Sequence, residues 1–200
     1  MEGGVVVTED KELYEYMLSI RAHGWTRNLP ADSTIYEKKD DPFYESFNFI
    51  VPGFNLRPLE MEGAIGLEQL KKIDTMIANR RSNAKYFVEK MQKYSDIRLQ
   101  KEVGESSWFG FSMVLTGKLA DKRTQLVECL RNANIECRPI VAGNFTRNPV
   151  IKYMDYSIPE ALITADEIHD HGLFIGNHSS NNNKEVDYFV SVLDNFIAQY

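Results

Sequence analysis

Pro52-Gly53-Phe54-Asn55-Leu56-Arg57-Pro58, followed after Leu59 by Glu60-Met61-Glu62-Gly63-Ala64-Ile65-Gly66-Leu67-Glu68-Gln69-Leu70, is the stretch on which the reading of this chain turns. Its first part sets an amide, Asn55, and a guanidinium, Arg57, two residues apart between two prolines. Both donate hydrogen bonds and together they suit a phosphate; a turn with a solvated arginine satisfies the same spacing. Its second part opens the longest helical pattern in the chain, Glu60 to about Met91, with Leu70, Ile73, Ile77, Ala84, Phe87 and Met91 on three- and four-residue steps. Arg80 falls on that stripe, a position where the stem can lie along the apolar edge with its head in water. Gly63 and Gly66 weaken the start of the helix but let another backbone approach closely.

Toward the N-terminus, the segment from Trp25 to Pro58 carries four prolines and the charged run Glu37 to Asp41, and reads as long and irregular. Phe43, Tyr44, Phe47, Phe49 and Phe54 are costly to leave in water, so the segment is expected to pack, in one version against another subunit. Ahead of it, Val5-Val6-Val7 reads as a short strand. Thr8, with Glu9 and Asp10, supplies a cap and acidic first turn for a helix through Leu13, Tyr16, Met17 and Ile20, closed by Gly24. Glu2-Gly3-Gly4 leads straight into the strand. One strand and one helix are too little to cover a sheet on both faces, so further strands are expected from upstream sequence or from a partner.

Toward the C-terminus, Trp108 to Thr116 reads as a strand, Leu119 to Ala133 as a helix and Ile135 to Ile140 as a strand. Ser157 with Glu160, and Pro159 between them, form a capping-box signature before Ala161, Leu162, Ala165 and Ile168; Leu173 to Ile175 reads as a strand. Asn182 with Glu185 repeats the capping spacing before a helix through Val186, Phe189, Val190, Leu193 and Ile197. The expected fold class is α/β, divided into residues 1–92 and a compact α/β domain, residues 93–200.

Composition narrows the function. A formal charge of −6 and a pI near 5.3 give no global attraction to nucleic acid or to an anionic membrane. No apolar run reaches the roughly 18 residues of a membrane span. Cys129 and Cys137 make neither a disulfide framework nor a metal site, which points to a reducing, cytoplasmic setting. No Walker loop, HExxH or GxSxG is present. His169 and His171 lie near Asp166, Glu167 and Asp170, but residues two apart do not share a helical face, so no metal is expected. Arg138 to Pro149 sets two arginines and two amides in one loop, donors that suit a sugar or sugar nucleotide; a self-capped loop explains them equally. Asn177-His178-Ser179-Ser180 precedes a helix N-terminus, where anions are favoured, although a plain surface loop fits too.

The Gly53–Pro58 motif leading into Glu60–Leu70, preceded by Glu2-Gly3-Gly4-Val5-Val6-Val7-Thr8, resembles the pyridoxal-phosphate-dependent sugar aminotransferase and dehydratase family of the DegT/DnrJ/EryC1/StrS type. The likeness covers essentially all 200 residues. Within it Arg21 to Leu29, Arg138 to Asn144 and His171 to His178 are similar to the branch of sugar-nucleotide 3-dehydratases. The resemblance implies the C-terminal portion of a fold type I transferase: residues 1–92 a remnant of the large cofactor domain with an interface loop and connecting helix, residues 93–200 the small domain. It implies pyridoxal 5'-phosphate or pyridoxamine 5'-phosphate in the complete enzyme, a nucleotide-sugar substrate, and a role in deoxysugar or polysaccharide biosynthesis.

The family's stacking residue, its carboxylate for the pyridine nitrogen and its Schiff-base lysine, a histidine in the dehydratase branch, match positions before Glu2. No catalytic residue is therefore carried over. Asn55 resembles the residue that reaches the cofactor phosphate of a neighbouring subunit, with Arg57 near phosphate or substrate. Arg138 and its loop as far as Asn144 match the substrate-facing segment, and His178 lies near the pocket. Iron-sulfur members use cysteines this chain lacks, none falling in residues 1–128. The implied function is a fragment of a 4-keto-6-deoxyhexose 3-dehydratase, inactive alone and binding cofactor weakly or not at all. The alternatives are a 4-aminotransferase fragment and a non-catalytic partner. The partner is a second copy, a full-length relative or the missing N-terminal half.

Overall fold

A computed structural model describes residues 3–200, and the chain divides between Lys71 and Lys72 into two compact units. Glu2 of the opening motif lies outside the described residues. The sequence reading draws its line after residue 92; the contacts instead group the helix Ile73–Met91 with the second unit.

The first unit holds α1 (Lys11–Ile20), α2 (Pro42–Glu45) and α3 (Glu60–Leu70). The cap of α1 is Asp10, whose carboxylate accepts from the Leu13 N–H at 3.0 Å, while Thr8 accepts from the Asp10 N–H at 3.1 Å. A charged acceptor at Asp10 thus displaces the expected Thr8 cap two residues downstream. The expected strand Val5–Val7 does not form. Its side chains are 76 to 89 % exposed and no strand among the described residues runs beside it; extended backbone without a ladder partner is not a strand.

Two carboxylates order the irregular segment. Glu15, on the buried face of α1, accepts on one oxygen from the Ser33 hydroxyl (2.9 Å), the Thr34 N–H (2.7 Å), the Thr34 hydroxyl (3.0 Å) and the Ile35 N–H (3.4 Å). Glu45 accepts from Thr26, Tyr36 and the Lys39 N–H at 2.8 to 3.0 Å. Burial pushes the Glu15 carboxyl up, but the Thr34 and Ser33 donors outweigh it and hold it below the ordinary value. The Lys39 N–H leads the groups that hold Glu45 down, and burial with Glu45 as acceptor pushes the Tyr36 phenol up to about 12. A carboxylate depressed on folding contributes stability above its unfolded pKa and loses it as pH falls through the folded one. This unit is therefore expected to loosen in acid, below about pH 4. Glu15→Gln should flatten that acid limb in a pH titration of amide exchange at residues 33–35; an unchanged limb would exclude Glu15 as its source.

The pattern expected as one helix from Glu60 to Met91 breaks at Lys71–Lys72. Two lysines suit the negative end of α3, and Asp74 suits the positive start of the next helix. No residue of α3 is buried.

The second unit contains α4 (Ile73–Met91), β1 (Ile97–Leu99), β2 (Gly110–Leu115), α5 (Arg123–Asn132), β3 (Cys137–Arg138), α6 (Ile163–His171), β4 (Gly172–Gly176) and α7 (Asn183–Ile197). The sheet is antiparallel throughout, in order β1-β2-β4-β3. Alternation sends Phe111, Met113 and Leu115 of β2 and Leu173 and Ile175 of β4 into the core. There they meet Phe87 and Met91 of α4, Leu126 and Leu130 of α5, and Phe189 and Leu193 of α7. Phe87 stacks on Phe111 at 4.2 Å between centroids. Gly110, Ser112, Phe174 and Gly176 alternate onto the opposite face.

Several expected boundaries move. β1 has only three residues, too few for a periodic signal, and the strand expected over 135–140 is two residues long. The helix expected from 119 begins with a 3₁₀ turn, Gly117–Lys122. The Ser157–Glu160 box does not form and α6 starts only at Ile163. Pro159 disfavours the helical region at Ile158, so that first turn is unavailable. No helix among the described residues is long and apolar enough to cross a membrane.

Candidate functional site

In the first unit, Asn55 and Arg57 owe their places to two glycines. The chain around His23 and Gly24 runs antiparallel to residues 48–56. His23 N–H donates to Phe54 O (2.9 Å), Ile50 N–H to Gly24 O (2.9 Å) and Leu56 N–H to Arg21 O (2.9 Å), with Ala22 opposite Asn55. Gly24 has φ +86°, and a Cβ there would lie 1.7 Å from Val51 O; a Cβ on Gly53 would lie 2.2 Å from Gly24 N. Only hydrogen fits at both positions. The Pro52–Pro58 motif is thereby clamped to the end of α1.

Asn55 and Arg57 are exposed, and neither side chain has a hydrogen-bond partner among the described residues. The Arg57 guanidinium lies 5.9 Å from the Trp25 ring centroid, and Arg27 sits over the same ring at 4.1 Å. Trp25 also stacks on Phe49 and meets Phe47 edge-on, each at 5.5 Å. Two guanidinium groups thus lie near one indole within the aromatic-rich segment, and the Asn55 and Arg57 donors are left free to bind an anionic group.

In the second unit, a cleft of about 750 Å³ opens beside β3. Phe109, 74 % exposed, and Phe174 form one wall, Tyr188 and the start of α7 another, and Arg80, Arg138 and His178 reach its rim. Arg138 and His178, expected at a substrate pocket, are therefore brought together. Arg138 is already engaged by Glu136, with Nε and a terminal nitrogen at 2.9 and 2.6 Å from one carboxylate oxygen. Arg80 is the unexpected member. Its Nε is buried without a partner and its guanidinium makes no ion pair among the described residues. The edge position on the stripe anticipated its stem, but nothing in the spacing showed that the head would be left unmatched.

A cluster of buried asparagines builds the rim. Asn83, on α4, donates to Asn177 Oδ1 (3.1 Å), His178 O (3.1 Å) and Ser180 O (2.7 Å), and accepts from the Asn182 N–H (3.1 Å). Asn177 donates to the carbonyls of Arg80 (3.0 Å) and Trp108 (2.9 Å). Asn182 does occupy the cap position of α7, but its side chain turns to this bracket instead of capping. His178 is thereby carried on a fixed loop, its Nδ1 2.9 Å from the Ser180 hydroxyl.

Asn144 does not line the cleft. It is 4 % exposed, and its amide donates to Asp166 (2.9 Å) and accepts from the Thr146 N–H and hydroxyl (3.1 and 2.7 Å). Arg147 is likewise tied to Asp170 at 2.8 Å. Among the described residues no group of three or more metal-ligating side chains is placed together. Both cysteines are free, and burial pushes the Cys137 thiol up, away from nucleophilic use.

This architecture matches one portion of the fold of known fold type I pyridoxal-phosphate-dependent enzymes. The E. coli GDP-4-keto-6-deoxy-D-mannose-3-dehydratase with bound hydrated PLP matches it with a TM-score of 0.88 and 51 % identity, over 94 % of this chain and 49 % of that one. A Helicobacter pylori aminotransferase involved in the biosynthesis of pseudoaminic acid matches at 0.73 and 20 % identity, over 96 % and 48 %, a likeness of fold alone. The chain belongs to the DegT/DnrJ/EryC1/StrS aminotransferase family, whose profile matches residues 1–194. Among curated relatives, the GDP-4-keto-6-deoxy-D-mannose 3-dehydratase of Escherichia coli O55:H7 is 51 % identical over 96 % of this chain and 50 % of its own length. That of Yersinia pseudotuberculosis is 50 % identical over the same shares. The chain spans about half the length of the curated relatives it matches.

Proposed function

We propose that the chain is the C-terminal half of a sugar-nucleotide 3-dehydratase acting on a GDP-linked 4-keto-6-deoxyhexose, and that it supplies the edge of the pocket and not its proton-transfer group. The observation that carries this reading is 51 % identity across 96 % of the chain to a dehydratase of that substrate. A GDP-perosamine synthase is 23 % identical, which favours the dehydratase over the aminotransferase alternative.

In this reading Asn55 and Arg57 hold the phosphate of pyridoxal or pyridoxamine phosphate across a subunit boundary. The bound cofactor supplies an electron sink for loss of the C3 hydroxyl. Arg80, Arg138 and His178 face the nucleotide sugar, the unmatched Arg80 taking a phosphate oxygen by a charge-assisted bond. Asn144 acts by holding its loop. The partner is a second copy, a full-length relative or the other half of the protein.

Spectroscopic titration with the two cofactor phosphates tests this. Two donors without stacking or ring-nitrogen contacts should bind at about millimolar or weaker, less than about 4 kcal/mol. Adding the full-length E. coli relative should restore tight binding through a mixed dimer, and Asn55→Ala should weaken that binding about tenfold while Lys71→Ala leaves it unchanged. Tight, stoichiometric binding by this chain alone, indifferent to Asn55→Ala, would overturn the reading.

A further inference from the structure

We propose that α3 is a contact surface for a second copy of this chain, each α3 lying antiparallel to the other about a two-fold axis between Gly66 and Leu67. Gly63, Gly66, Leu67 and Leu70 fall at i, i+3, i+4 and i+7, which is one face of the helix. Among the described residues nothing covers that face. Leu67 and Leu70 are 65 and 61 % exposed, and a Cβ added at Gly63 or Gly66 would meet nothing within 4 Å. The face is complementary to itself in shape. With the axis between residues 66 and 67, Leu67 of one copy lies opposite Gly66 of the other, and Leu70 opposite Gly63. Each large side chain then meets a position without one, so the backbones approach closely and the leucines leave water. A parallel pair in register sets leucine against leucine and glycine against glycine, and packs with gaps.

The charges match in the same arrangement. Glu60 opens α3 and Lys71 follows its last residue, about three turns away, so both project from one flank of the face. A two-fold axis keeps that flank on the same side in both copies, and the antiparallel direction brings Glu60 of each beside Lys71 of the other. Lys71 is bonded to Glu68 at 2.5 Å, but the two side chains are 67 and 63 % exposed and such a pair holds weakly. The same direction sets the positive start of each helix beside the negative end of its counterpart. At this exposure the charges choose direction more than affinity. Met61 and Ile65 project from the opposite side of α3 and take no part. A surface that complements itself is the mark of an isologous contact between identical chains, and an unrelated partner has no reason to carry its counterpart. Three turns of helix bury less than a standard interface, so the pair is weak, with a dissociation constant on the order of 0.1 mM.

Sedimentation equilibrium of the 200-residue chain, from about 10 µM to about 1 mM, tests the pairing and should show a monomer–dimer equilibrium. Gly66→Met fills the recess that receives Leu67 and should weaken association about tenfold. Urea unfolding of the dilute variant should show no loss of stability, because open space surrounds that position. Met61→Gln should leave association unchanged. Glu60→Lys and Lys71→Glu each set like charges together and should each weaken it about fivefold. An equimolar mixture of those two variants re-forms both ion pairs and should regain wild-type association. A monomer at every concentration, or a dimer indifferent to Gly66→Met, would overturn the proposal. So would a mixture that associates more tightly than wild type, the result expected of parallel helices. The pairing needs no cofactor and does not rest on the dehydratase reading, which turns on cofactor binding through Asn55; either can fail alone.

Discussion

Asn83→Leu is expected to destabilise the second unit by about 3 to 5 kcal/mol and to release the His178 loop. Asn83 is 1 % exposed and serves four backbone or amide partners at 2.7 to 3.1 Å. Leucine fills similar space but leaves the Asn182 N–H buried without a partner, at about 1 to 3 kcal/mol, and removes the 2.7 Å donor to Ser180 O. Asn177 Oδ1 and His178 O keep only long contacts to Asn182, at 3.4 and 3.3 Å. Asn79→Ala is the matched comparison, because Asn79 makes a single bond to Ser179 O at 2.9 Å and should cost about 1 kcal/mol. Urea unfolding with an unchanged m-value reads both directly; equal shifts in the two variants would show that the bracket is not a unit.

Gly24→Ala or Gly53→Ala should disorder the first unit, each at a cost on the order of 3 kcal/mol or more. At Gly24 the added methyl collides with Val51 O at 1.7 Å and the φ of +86° disfavours alanine; at Gly53 it meets Gly24 N at 2.2 Å and His23 C at 2.3 Å. Every one of these atoms is backbone and none can swing aside. Gly63→Ala carries the opposite sign, since its Cβ would meet nothing within 4 Å in the middle of α3; it should stabilise by about 0.5 to 1 kcal/mol. Amide exchange at His23, Ile50 and Phe54 follows the effect. Wild-type protection in Gly24→Ala would mean that the two strands are not held by this close approach.

Much of the second unit was legible because its elements are long or sharply punctuated. α7 shows its apolar stripe from Val186 to Ile197 and its cap position at Asn182, and β4 shows in Leu173 to Ile175. What escaped were features fixed by distant partners. β1 exists only because Ile97–Leu99 lies beside Met113–Leu115. The bracket joins residues almost a hundred positions apart, as in Asn83 to Asn177, and no local pattern announces such a pairing. Glu15 likewise reads as one more charge in an acidic helix until Ser33 and Thr34 fold back onto it. Of the site residues, Arg138 and His178 share a cleft, whereas Asn144 turned inward, because an amide beside Asp166 and Thr146 finds its partners at home.

The helix Glu60–Leu70 buries none of its side chains, although Met61, Leu67 and Leu70 are 61 to 65 % exposed. An eleven-residue helix without packing is marginal in water, so, helix propensity aside, the folding free energy of a single chain is nearly indifferent to whether Met61, Leu67 and Leu70 are apolar. A mutational scan scored on the folded yield of the isolated polypeptide would accordingly be nearly blind at these three positions, tolerating glutamine at Leu67 as readily as leucine. Scored instead on growth or pathway flux, intolerance at those positions would register contacts made outside this chain's own fold, free of the confounding by stability that clouds such scans everywhere in the core.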